Sequence, residues 1–92
     1  MIRLPPPDPR FVQALRMLEE AAQSQRQGRF EDADRLYSRV IKNNPSYFDA
    51  LNLFGLFKYQ QGKFNDALKL FSKASAVNPR SVMLFIRKIM KR

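Results

Sequence analysis

Ninety-two residues, 45% of them hydrophobic, can bury one modest core, so the chain reads as a single domain or a piece of one. With no cysteine and no histidine, it lacks a disulfide framework, a thiolate metal site, the commonest general base and any Ser-His or Cys-His dyad. The formal charge of +9 is unevenly placed, because five of the 17 basic residues (Arg80, Arg87, Lys88, Lys91 and Arg92) follow Pro79 with no acid among them.

Residues 1–8 read as a proline-rich extended leader, since Pro5-Pro6-Pro7 favours polyproline II and removes backbone donors. Asp8-Pro9 reads as an N-cap followed by proline at the first helical position. Phe11, Leu15, Leu18 and Ala22 then recur at helical spacing, with Val12, Ala14 and Ala21 beside them, and Gly28 ends this first helix, predicted over 9–27. Phe30 opens a second helix, with Glu31 and Asp32 in its first turn and Ala33, Leu36, Tyr37, Val40 and Ile41 as its buried stripe. Asn44-Pro45 ends it.

Ser46, with Asp49 three residues on, reads as a capping box for a third helix. Its apolar set is Phe48, Ala50, Leu51, Leu53, Phe54, Leu56, Phe57 and Tyr59. A helix so apolar on more than one side needs two neighbours, or one neighbour and an open groove. Gly62 ends it. Asn65-Asp66 begin a fourth helix whose stripe is Phe64, Ala67, Leu68, Leu70, Phe71, Ala74 and Val77, closed by Asn78-Pro79. Ser81 caps a fifth, in which Val82, Phe85, Ile86 and Ile89 mark an apolar face that Met83 and Met90 widen.

The second and fourth helices and the turns before them are written twice, 34 residues apart. Gln27-Gly28-Arg29-Phe30, Asp32-Ala33, Leu36-Tyr37-Ser38 and Asn44-Pro45 match Gln61-Gly62-Lys63-Phe64, Asp66-Ala67, Leu70-Phe71-Ser72 and Asn78-Pro79. A fixed period of this size is the signature of a solenoid, in which one supersecondary unit stacks on the next.

Two helix hairpins of this length, each with glycine between its helices and proline after the second, resemble the tetratricopeptide repeat in a bacterial-type short array. The resemblance sets repeat one at 14–47 and repeat two at 48–81, with a terminal helix at 82–92, all within a domain spanning 9–92. Gly28, Phe30, Ala33, Tyr37 and Pro45 match the family pattern in the first repeat. Gly55, Gly62, Phe64, Ala67, Phe71, Ala74 and Pro79 match it in the second. The departures are Glu20, where an apolar residue is usual, and Ser24 and Lys58, where an aromatic is usual; they should loosen the contact between the two helices of a repeat. The implied fold is all-α, a right-handed α-solenoid of two full repeats plus the terminal helix.

The family lines the concave face of its superhelix with the first helix of each repeat. The resemblance therefore implies a partner-binding groove, with Asn52, Leu53, Leu56, Tyr59, Met83, Ile86, Arg87 and Met90 as its central residues and Leu15, Leu18, Glu19, Ala22, Gln25, Arg26, Asp49 and Gln60 beside them. The groove positions that grip a terminal carboxylate in one subgroup hold Leu18, Ala22, Leu53, Met83 and Arg87, and only Arg87 has the right chemistry, which argues against such a clamp. The expected function is a non-catalytic protein–protein interaction module for a peptide or partner helix, with no cofactor. The same apolar surface could instead be covered by a second copy, as a homodimer through the groove or the terminal helix, or by internal packing, and the terminal helix is too apolar for a good end cap. An alternative function is binding of nucleic acid or an anionic surface through the basic tail. No catalytic constellation can be assembled from the scattered acids. With no run of about 20 apolar residues, a cytoplasmic protein is the expectation.

Overall fold

The computed structural model describes residues 8–80 and Arg87, and these contain four α-helices and no strand: α1 (Pro9–Arg26), α2 (Phe30–Asn43), α3 (Phe48–Gln60) and α4 (Phe64–Val77). Pro79, Arg80 and Arg87 are helical as well, so helical backbone resumes before Ser81, the expected cap of a fifth helix. Residues 1–7 of the expected leader 1–8, and all of the terminal helix 82–92 except Arg87, lie outside the described residues. The chain starts α1 as its first residues dictate. The Asp8 carboxylate accepts a hydrogen bond from the Arg10 amide at 2.9 Å, and Pro9 occupies the first turn, where no amide donor is needed.

The 34-residue repeat is a repeat of backbone geometry as well as of letters. Gly28 and Gly62 have φ of +78° and +80°, the left-handed region that ends a helix without a Cβ penalty. After α1, the Arg29 amide donates to the Ser24 carbonyl at 2.8 Å and the Gly28 amide to Gln25 at 3.1 Å. After α3, Lys63 donates to Lys58 at 2.9 Å and Gly62 to Tyr59 at 3.0 Å. Both pairs form the Schellman arrangement, which satisfies the carbonyls a helix end leaves open. The residues entering α2 and α4 also agree, Arg29 at φ −85°, ψ 72° and Lys63 at φ −88°, ψ 71°. So do those leaving them, Asn44 at −138°, 73° and Asn78 at −150°, 86°.

Each glycine turn folds two helices into an antiparallel hairpin, α1 on α2 and α3 on α4, and the hairpins join mainly through α2 and α3. The joint is aromatic. Tyr37 of α2 stacks on Phe54 of α3 at 5.3 Å and lies 5.6 Å from Phe57, and Tyr37, Phe57, Leu51 and Val40 are the largest fully buried side chains. Burial of each such side chain stabilises the fold by roughly 1.5–3 kcal/mol. Helices approach closely where side chains are small: Ala21, Ala33, Ala50, Ala67 and Ala74 are buried, and a Cβ on Gly55 would come within 2.7 Å of the Phe71 ring. The density of apolar residues on α3 has its reason here, because α3 touches α1, α2 and α4.

Four details depart from the sequence reading. Ser46 does not cap α3; Tyr47 holds that position without a side-chain cap, because α3 begins at Phe48, and Asp49 in its first turn faces the helix dipole instead. On α4, Phe64, Leu68 and Val77 are 61%, 65% and 43% exposed, since that helix buries Ala67, Leu70 and Ala74. On α1 the core face is Ala14, Leu18 and Ala21, which leaves Phe11 and Leu15 exposed. Lys58, expected to loosen the contact within its own repeat, instead reaches the other hairpin. Its side chain is only 11% exposed, pairs with the Asp34 carboxylate of α2 and lies 5.3 Å from the centre of the Phe54 ring.

Candidate functional site

The helices that begin the two hairpins, α1 and α3, run parallel. Their amino ends meet where Phe11 and Tyr47 place their rings 5.7 Å apart, and their carboxy ends meet where Gln25 Nε2 donates to Gln60 Oε1 at 3.1 Å. The Tyr37 hydroxyl, from α2 behind, donates to Gln25 Oε1 at 2.7 Å and so fixes that amide from the core side. Between the two ends α1 and α3 touch over a much smaller surface than the helices within each hairpin do, and a cleft of about 480 Å³ separates them.

The cleft is lined mostly by carbon, with two carboxylates and one amide. Leu15, Leu18, Ala22, Tyr47, Phe48 and Leu53 supply the carbon surface, and Glu19, Asp49 and Asn52 the polar groups. Glu19 sits one turn from Leu15 and from Ala22 on α1, while Asp49, Asn52 and Leu53 share one face of α3 at the same kind of spacing. No basic side chain lines it. Asn52 is 5% exposed, and its side-chain carbonyl has no hydrogen-bond partner among the described residues. Buried polar groups are nearly always paired, so this one needs an explanation. Tyr47 reports the local field: its hydroxyl is held above the usual phenol range, first by burial and then by the carboxylates of Asp49 and Glu19.

Of the central groove residues expected from the sequence, Asn52 and Leu53 line this cleft, and of those expected beside them Leu15, Leu18, Glu19, Ala22 and Asp49 do. Leu56 and Tyr59 are partly buried further along α3, where Tyr59 meets the Phe64 ring edge-on at 5.4 Å. Arg87 is helical and exposed, and Met83, Ile86 and Met90 lie outside the described residues. Sequence reasoning missed Tyr47 and Phe48 as cleft residues. The signal was there, because Phe48 precedes Asn52 by one helical turn, but the expected cap at Ser46 assigned them to the start of the helix.

A second depression, of about 310 Å³, lies between α1 and the end of α2, lined by Arg10, Gln13, Ala14, Met17, Val40, Asn43 and Asn44. Its polar share is larger and it holds no unpartnered buried group. Among the described residues no cluster of three His, Cys, Asp or Glu could hold a metal ion, and no helix is long and apolar enough to cross a membrane. No protein-family model matches the chain, and no curated protein matches it.

Proposed function

We propose that this chain is a non-catalytic interaction module of tetratricopeptide type: two repeats stacked as a right-handed solenoid, whose α1–α3 face receives a peptide or a partner helix. The observation that carries this reading is the parallel α1–α3 pair with its open, apolar-floored cleft, set on two hairpins whose turns and helix ends repeat in geometry. A cleft with a carbon floor and a few placed polar groups is the usual form of a binding surface, and an apolar groove between helices suits an amphipathic segment.

The reading is tested at Leu15, which lines the cleft and is 41% exposed, so that it can be changed with little effect on the core. Leu15→Glu is expected to reduce capture of protein partners by at least about tenfold, the equivalent of 1.4 kcal/mol, with the thermal melt shifted by no more than a few degrees. Unchanged capture by this variant would remove the cleft from the function. The stacking hand is checked by an experimentally determined structure, and a left-handed stack would overturn the solenoid assignment.

A further inference from the structure

We propose that the outer face of α4 is a docking surface for this chain's own residues 82–92, in a register three residues short of the 34-residue repeat, so that Ile89 lies on Leu68 and Phe85 on Phe71. The proposal concerns a different face from the α1–α3 cleft and does not depend on what the cleft binds.

The joint between the two hairpins supplies the template. Phe30, Asp34 and Tyr37 share one face of α2, at helical spacing, and α3 covers it. Phe30 meets Phe57, Asp34 pairs with Lys58, and Tyr37 stacks on Phe54. Thirty-four residues on, α4 carries Phe64, Leu68 and Phe71 on the corresponding face. Tyr37 is 1% exposed, whereas Phe71 is half-buried and Leu68 is 65% exposed. Among the described helices α4 packs mainly on α3, through the side that carries Ala67, Leu70 and Ala74.

The way the chain leaves α4 identifies the cover. Asn78 has φ −150°, ψ 86°, close to the −138°, 73° of Asn44, which turns the chain from α2 toward α3. Residues 79–92 are as many as α4 itself has, enough for a helix along its whole length. A second copy would compete with a segment tethered directly to the end of α4, whose effective concentration is far higher.

The register follows from where helical backbone resumes. It begins at Phe48 after α2 but already at Pro79 after α4, a correspondence of 31 residues instead of 34. Leu51, Phe54 and Lys58 then map onto Val82, Phe85 and Ile89. The ion pair of the first joint, Asp34 with Lys58, becomes Leu68 with Ile89, so both partners turn apolar together. In the 34-residue register Phe54, Phe57 and Lys58 would map onto Lys88, Lys91 and Arg92. That sets three cations against Leu68 and Phe71 with no acid opposite, which the cost of burying unpaired charge disfavours. In the shorter register only Lys88 falls on this face, in the place of Phe57, where its aliphatic stem can cover the Phe64 ring with the ammonium at the rim. Arg87 then takes the place of Leu56 and not of Leu53, which packs against the core, and Arg87 is exposed.

The test is a pair of double-mutant cycles on the full chain, read as the unfolding equilibrium constant in urea. Leu68 is exposed enough to be changed without disturbing the described core. Leu68→Asp and Ile89→Lys together rebuild the charge pair of the first joint at the second. They are expected to couple by at least about threefold, each single change destabilising and the double partly restored. Leu68→Asp with Arg92→Ala should couple less. The reverse order would overturn the register, and no coupling in either cycle would overturn the docking itself. Sedimentation velocity supplies the last outcome: a monomer is expected, and a dimer that Leu68→Asp dissociates would put a second copy on this face and overturn the assignment to the chain's own segment.

Discussion

Gly55 and Gly62 are both glycines for reasons of geometry, but the reasons differ and so should the consequences of replacing them. A Cβ at Gly62 meets nothing within 4 Å, yet φ of +80° is unfavourable for any L side chain. Gly62→Ala is expected to cost roughly 1–2 kcal/mol of stability through backbone strain. Gly55 has ordinary helical geometry but no room beside the Phe71 ring. Overpacking costs typically 1–3 kcal/mol and the better helix propensity of alanine returns about 1, so Gly55→Ala should lose about 1 kcal/mol net. Urea unfolding of the two variants checks both values, and a stabilised Gly55→Ala would show that Phe71 yields freely. The Lys58–Asp34 pair should be asymmetric in the same assay. Asp34→Ala leaves a nearly buried ammonium without its carboxylate and is expected to cost roughly 2–3 kcal/mol. Lys58→Met leaves a carboxylate that is 35% exposed and can still accept from Ser38, so about 1 kcal/mol is expected.

At the scale of elements, one phenol links α2 to both α1 and α3, through its hydrogen bond to Gln25 and its ring contacts with Phe54 and Phe57. Burial holds the Tyr37 hydroxyl above its usual 10.0, with the Arg26 charge pulling the other way. A folded-state value above the unfolded one means the folded protein keeps its proton longer. That contribution to stability is complete below about pH 10 and is lost as pH rises through the folded value. Tyr37→Phe should cost about 1 kcal/mol near neutral pH, the worth of its bond to Gln25, and should show a shallower alkaline loss than the parent. Parallel denaturation series at neutral and alkaline pH decide this; identical alkaline slopes would mean the phenol is solvated in both states. On the cleft side, Tyr47 offers a spectroscopic reading of its neighbours. Neutralising Glu19 and Asp49 should lower its titration midpoint in phenolate absorbance, because both carboxylates raise it.

The elements themselves were legible in the sequence to within a residue or two, because their signals are strong and local. Asp8-Pro9, the two glycines and the two Asn-Pro pairs mark helix ends through backbone chemistry that no tertiary contact overrides. What escaped was set by neighbours rather than by period. Phe64, Leu68 and Val77 fall at positions an apolar stripe could use, yet which side of α4 is buried depends on where α3 lies. Lys58 looked like a weak spot, because its carboxylate partner is 24 residues away in sequence. The cleft was half legible. Glu19, Asp49, Asn52 and Leu53 fall on the expected faces, but the burial of the Asn52 carbonyl without a partner among the described residues is a property of the assembled pair of hairpins.

For the molecule as a whole, the cleft is fastened at both ends, by the Phe11–Tyr47 rings and by the Gln25–Gln60 amides, while its middle is open. Two helices tied in this way resist swinging apart like a hinged jaw. Rolling or twisting against each other leaves both ties in place, so under the proposed reading a thicker occupant is met by a change of crossing angle and a thin one by side-chain repacking. Amide hydrogen exchange in the last turns of α1 and α3 should therefore stay unchanged when a ligand enters, and faster exchange there on binding would show that the ends part.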